Sequence, residues 1–148
     1  MSSITVKIKF LANAVDDYRF NLKRSVLPLY CCTDPGSEIV LGPNERRAVP
    51  TGFALDLPDL YEAVVVPNSA LAEDQSTTVL NNPGTIDPDF KGEIQVILIN
   101  LGDRDTTISR GDQVAELRIQ KFVRAEFKKV DSLSSSSRGG KGLGSTGV

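Results

Sequence analysis

Apolar residues recur at every second position along much of this chain, a pattern that lines one face of an extended strand and would scatter around a helix. Ile4, Val6, Ile8 and Phe10 alternate in this way, as does the run from Tyr61 through Val66. Ile94, Val96 and Leu98 share one face, with Val114, Leu117 and Ile119 further on. Pro and Gly punctuate these runs at Pro35-Gly36, Gly42-Pro43-Asn44, Pro50-Thr51-Gly52, Pro83-Gly84 and Gly102-Asp103, at the close spacing of a jelly roll or barrel. The expected fold is therefore all-β. The best helical candidate is Asn68–Glu73, one turn with Ser69 as its cap.

A length of 148 residues suits one domain with a core that needs no staples. A net charge of −2 offers no polycationic surface for duplex DNA, and nucleic acid is not an expected partner. The chain has no histidine, which removes histidine triads, histidine-ligated zinc and imidazole bases, so acid-base chemistry falls to carboxylates. Cys31 and Cys32 are adjacent; neighbouring strand residues point to opposite faces, which opposes an internal disulfide and fits a reducing compartment. The N-terminus lacks the long apolar run of a signal peptide or membrane span. The expected location is cytoplasmic, or nuclear for a eukaryotic or viral source, with no membrane partner.

From about Leu133 the composition turns Ser-rich and then Gly-rich, too poor in apolar groups to order itself. The expected division is a β domain over 1–132 and a flexible arm over 133–148. Gly139 and Gly144 have Walker spacing, but Ser145 stands where the lysine must follow, so that motif is rejected.

Five segments, in chain order, resemble the motifs of the homotrimeric dUTPases over nearly the whole chain from Val6 to Val148. The most specific is the third, Val79-Leu80-Asn81-Asn82-Pro83-Gly84-Thr85-Ile86-Asp87-Pro88-Asp89-Phe90-Lys91-Gly92-Glu93-Ile94. In the family this is a β-hairpin whose backbone, helped by the asparagine matching Asn81, reads the uracil edge. The resemblance places Gly84, Thr85 and Ile86 against the nucleoside and Phe90, usually a tyrosine, under the deoxyribose. It makes Asp87 the residue that contacts the 3′-hydroxyl and orients the attacking water. Taken alone, Asp87 before Pro88 reads first as a turn former; the neighbouring motifs favour the site.

The other motifs carry departures. In the fourth, Arg110-Gly111-Asp112-Gln113-Val114-Ala115-Glu116-Leu117, Glu116 replaces a phosphate-binding glutamine. In the second, Pro67-Asn68-Ser69-Ala70, Ser69 matches the phosphate-binding serine and Asn68 replaces an arginine, which removes a fixed charge. The first falls at Cys32-Thr33-Asp34-Pro35, making Asp34 the candidate Mg²⁺ ligand; a turn aspartate accounts for it equally well. In the fifth, on the arm, Arg138, Gly144, Ser145 and Thr146 match the groups that close over the phosphates. Leu143 replaces a phenylalanine that stacks on uracil.

The resemblance implies a jelly-roll trimer with three shared sites. Each takes the hairpin around Asp87 from one subunit, Asp34, Ser69 and Glu116 from a second, and the arm from a third. It also implies Mg²⁺-dependent hydrolysis of dUTP to dUMP and pyrophosphate. The departures motivate an alternative, an impaired paralogue serving as a nucleotide-binding or regulatory module with a protein partner. The related dCTP deaminases fit less well, because the strand after Gly92 lacks the glutamate of their deaminating site.

Overall fold

The structure, a computed structural model, describes residues 3–16, 18 and 25–144. Among them the chain forms β1 (Lys7–Phe10), β2 (Leu27–Tyr30), β3 (Glu38–Leu41), β4 (Arg46–Pro50), β5 (Phe53–Asp56), β6 (Tyr61–Pro67), α1 (Ser69–Gln75), β7 (Thr77–Val79), β8 (Gly84–Ile86), β9 (Gln95–Asn100), β10 (Thr106–Ser109) and β11 (Gln113–Lys121). The all-β expectation with one short helix holds. Four sheets form, ordered β2-β11-β6-β8, β4-β9-β7, β10-β3 and β1-β5, and their ladders are antiparallel.

One core joins them. Leu29, Leu41, Val49, Phe53, Val65, Leu98, Ile108 and Leu117 come from eight different strands and are buried together. Each such side chain stabilises the fold by about 1.5–3 kcal/mol relative to exposure. On β9 the alternation runs Val96, Leu98 and Asn100 inward. Asn100 is fully buried, and its amide is satisfied at both ends: Nδ2 donates to Leu41 O at 2.9 Å and Arg104 O at 2.6 Å, and Oδ1 accepts from Gly102 N at 2.9 Å. Such an amide bonds β9 to the end of β3 without an unpaired group.

Two local readings change. Val114 and Leu117, three positions apart, are both buried because the register shifts between Gln113 and Ala115; a bulge there puts one extra residue into the strand and resets which face points inward. The helix is capped by Asn68, not Ser69. Asn68 keeps an extended backbone, and its side chain accepts from Leu71 N at 3.0 Å, whereas Ser69 is already the first helical residue. A carboxamide oxygen satisfies that orphan donor as well as a hydroxyl does. The helix also runs past Glu73 to Gln75.

Cys31 and Cys32 are buried and unpaired, with thiol pKa values raised first by that burial.

Candidate functional site

The third-motif segment does not close on itself as a simple hairpin. β7 pairs with β9, and Leu80 N donates to Ile97 O at 2.8 Å. Beyond that point the chain crosses to the other large sheet, where β8 pairs with β6 through Val65↔Gly84, Val64↔Thr85 and Ala63↔Ile86. The chain then turns at Asp87, with Phe90 N donating to Asp87 O at 3.1 Å. It returns to β9 along β4, in a register that includes Ala48↔Ile97.

Splitting the ladder in this way opens a crevice between the sheets. It forms a pocket of about 340 Å³ lined by Asn81, Gly84, Thr85, Ile86, Asp87 and Phe90 together with Ala48, Val65, Glu93, Ile94, Gln95 and Ile97. The six residues expected at the nucleoside therefore meet in one place. Apolar walls from Val65, Ile86, Ile94 and Ile97 suit a flat ring, and Asn81 with the strand backbone adds a few polar groups that fix its orientation.

Small residues shape the crevice. A Cβ on Gly84 would come within 3.4 Å of both Asn81 Nδ2 and Val65 Cβ, so glycine there keeps the wall thin. A Cβ on Gly92 would lie 2.9 Å from Phe90 Cζ, so the ring rests on the space that Gly92 leaves. Phe90 is 48% exposed, presenting the rest of its ring outward.

The far end of the segment is bonded to the body. Glu93 Oε1 accepts from Gly52 N and Asn13 Nδ2, both at 2.9 Å, and Thr51 Oγ1 donates to Ile94 O at 2.6 Å. Arg110 holds the same region from outside, donating to the carbonyls of Asn13, Thr33 and Ala14 at 2.7–2.9 Å. Arg110 thus braces loops near the pocket. Sequence reasoning missed Ala48, Gln95 and Ile97 as pocket walls and Glu93 as a bracket; the alternation marked the strands but not which ones pair.

The remaining candidates lie elsewhere on the protomer. Asn68 and exposed Ser69 start α1, and Glu116 sits on β11 opposite Val66, so the second and fourth motifs are neighbours across one ladder. Asp34 occupies an exposed turn, where its carbonyl accepts from Ser37 N at 3.0 Å and Ser37 Oγ at 2.8 Å. No cluster of three His, Cys, Asp or Glu able to hold a metal occurs among the described residues. After Phe122, whose N–H donates to Leu60 O at 2.9 Å, the described residues run on to Gly144 without a strand. Arg138 Nε donates to Lys141 O at 2.7 Å, and Leu143 is fully exposed. Ser145 and Thr146 lie outside the described residues.

Comparison with known proteins gives a consistent picture. The family model described as dUTPase matches residues 35–147, beginning just after Asp34. A deoxyuridine 5′-triphosphate nucleotidohydrolase of Anaplasma marginale is 49% identical over 126 residues, covering 85% of this chain and 84% of the relative. A protein of the same name from an Anaeromyxobacter species is 50% identical over 109 residues, 74% of each chain. Among solved structures, a Staphylococcus bacteriophage 80alpha dUTPase with dUPNHPP superposes with a TM-score of 0.84 at 22% identity, covering 99% of this chain and 100% of that one. The dUTPase of Staphylococcus aureus phage phi11 gives a TM-score of 0.76 at 18% identity, covering 90% of this chain and 100% of that one. These two likenesses concern the fold.

Proposed function

The chain belongs to the dUTPase family, and from that premise we propose that it hydrolyses dUTP to dUMP and pyrophosphate at the crevice around Asp87. The observation that carries this is the convergence of Asn81, Gly84, Thr85, Ile86, Asp87 and Phe90 on one pocket. Strand backbone with Asn81 suits the donor and acceptor pattern of a uracil edge, and a base with the wrong edge would leave buried polar groups unpaired. The Phe90 ring supports the deoxyribose without any polar contact.

Asp87 is exposed at the pocket mouth, where a carboxylate orients a water and takes its proton. The water oxygen bonds to the α-phosphorus in line with the bridging oxygen. That P–O bond breaks, and its electron pair leaves with pyrophosphate. Holding water and phosphorus in line converts an encounter into a positioned reaction. Asp34 fits Mg²⁺ in donor chemistry, because Mg²⁺ takes one or two carboxylate oxygens together with phosphate oxygens and waters. When bound, the ion supplies positive charge against the departing pyrophosphate.

The assembly we propose is a homotrimer with shared sites. Among the described residues, Asn68, Ser69, Glu116, Asp34 and the arm as far as Gly144 do not line the pocket of their own protomer, which supports their serving a neighbour's. Residues 1–132 form the β domain and 133–148 the arm. Two unpaired thiols support a reducing compartment, cytoplasmic or nuclear. Among the described residues, no helix is long and apolar enough to cross a membrane.

One observation favours a second reading, a nucleotide-binding module with little turnover: the carboxamide oxygen of Asn68, where the family has arginine, accepts from Leu71 N to cap α1. The two readings separate on pyrophosphate release from dUTP and Mg²⁺. Hydrolysis abolished by Asp87→Ala supports the enzyme; dUTP binding without release by the unmodified protein replaces it with the module.

A further inference from the structure

Asp87 and Phe90 lie at the two ends of an exposed turn. The turn's own closure is the bond from Phe90 N to Asp87 O, 3.1 Å, and the brackets at Glu93 and Ile94 hold its far end. Lys91 adds a third attachment. Its ammonium donates to Pro88 O at 2.7 Å, inside the turn, and to Asp56 Oδ1 at 2.6 Å, on β5. The other carboxylate oxygen of Asp56 faces Lys7 Nζ at 3.4 Å, and Lys7 is the register partner of Asp56 on β1.

One cation therefore ties the carbonyl next to Asp87 to the end of the β1–β5 sheet. Neither Asp56 nor Lys91 lines the nucleotide pocket; both line a separate hollow of about 330 Å³ with Lys7, Ile8, Lys9, Ala54 and Leu55. This placement separates them from residues that would touch substrate.

We propose that Asp56 and Lys91 form a positioning pair that sets the catalytic turn at the angle hydrolysis requires, an inference that rests on the dUTP hydrolase reading. The pair is half exposed, with side chains 49% and 53% accessible, and an ion pair so placed adds little to global stability. Its effect is on geometry. A shift of about 1 Å at a reacting group is enough to cost on the order of 100-fold in rate. Because Pro88 adjoins Asp87, the loss falls on the chemical step more than on nucleotide binding.

The test is steady-state hydrolysis of dUTP by the full chain, alongside amide hydrogen exchange at Phe90 N. Asp56→Asn and Lys91→Met each lower kcat by about 5- to 10-fold while KM moves less than about threefold. The double variant is no worse than the poorer single, because the two groups act through one contact. Lys91→Arg keeps the cation and recovers kcat to within about twofold. Exchange at Phe90 speeds by about tenfold in both single variants and returns with Lys91→Arg.

Wild-type kcat in Asp56→Asn overturns the pair, as do additive losses in the double variant. A raised KM confined to Lys91→Met also overturns it, by showing a lysine that meets the phosphates directly. If the unmodified protein does not hydrolyse dUTP, the hydrolase reading fails, and the exchange rates alone decide the pair: unchanged protection at Phe90 rejects it.

Discussion

At Gly92 a single missing Cβ decides where a neighbouring ring can lie. Its φ is unremarkable; what it provides is the room in which the Phe90 ring lies, with Cζ 2.9 Å from where a Cβ would stand. The ring is the exposed end of a side chain and can swing away, so Gly92→Ala is expected to leave the melting temperature within about 2 °C while displacing the ring. In the proposed site the ring supports the sugar, and losing that support should raise KM for dUTP by about fivefold, the low end of what an aromatic stacking contact contributes; unchanged KM in the same assay would show that the ring does not support the sugar. Gly52 is the opposite case. Its φ is +77°, and a Cβ there would stand 2.6 Å from Ala14 Cα, so any side chain strains the backbone itself.

Residue-level legibility follows the same division between local and distant neighbours. Asn81, Gly84, Ile86, Asp87 and Phe90 sit within one short segment, so their chemistry could be read from sequence in order. Ala48, Gln95 and Ile97 reach the same pocket only because β4 pairs with β9, and no local pattern encodes a pairing partner so distant along the chain. The Lys91 contact to Asp56 spans 35 positions and was invisible for the same reason.

Among the elements, the short helix and the bulged strand show where alternation stops being informative. Period-2 reading located β6 and β11, yet the bulge at Gln113 had to be seen before Val114 and Leu117 made sense on one strand. The helix start was placed one residue late, since serine and asparagine both serve as caps and only backbone geometry distinguishes Asn68 from Ser69. That geometry yields a stability prediction. Asn68→Ala removes the acceptor for Leu71 N and should cost about 1 kcal/mol, while Asn68→Asp should stay within a few tenths of the original. Urea unfolding at one fixed protein concentration measures both, since assembly would otherwise shift the midpoint. An Asn68→Ala curve coincident with the unmodified protein would show that the cap contributes nothing.

For the whole molecule, the chain after β11 is the feature that a lone protomer does not explain. Val123, Phe127 and Leu133 are 90%, 93% and 88% exposed, and large apolar groups left in water favour a surface that buries them. In the proposed homotrimer, a neighbouring copy of the same chain supplies such a surface to the segment that leads into the arm, and the arm then completes that neighbour's site. Complementation tests that arrangement directly. Chains carrying Asp87→Ala keep the arm but lack the base; chains ending at Ser132 keep the base but lack the arm. Each alone should assemble and hydrolyse dUTP poorly. Unfolded together in equal amounts and refolded, they form mixed trimers in which about one site in four combines an intact Asp87 with an arm from a different chain. The mixture should therefore recover on the order of a quarter of the unmodified activity, with native mass spectrometry confirming mixed assemblies. Mixed trimers with no recovered activity would mean that the arm serves the pocket of its own chain, and full activity in the shortened chain alone would mean that the pocket does not need the arm.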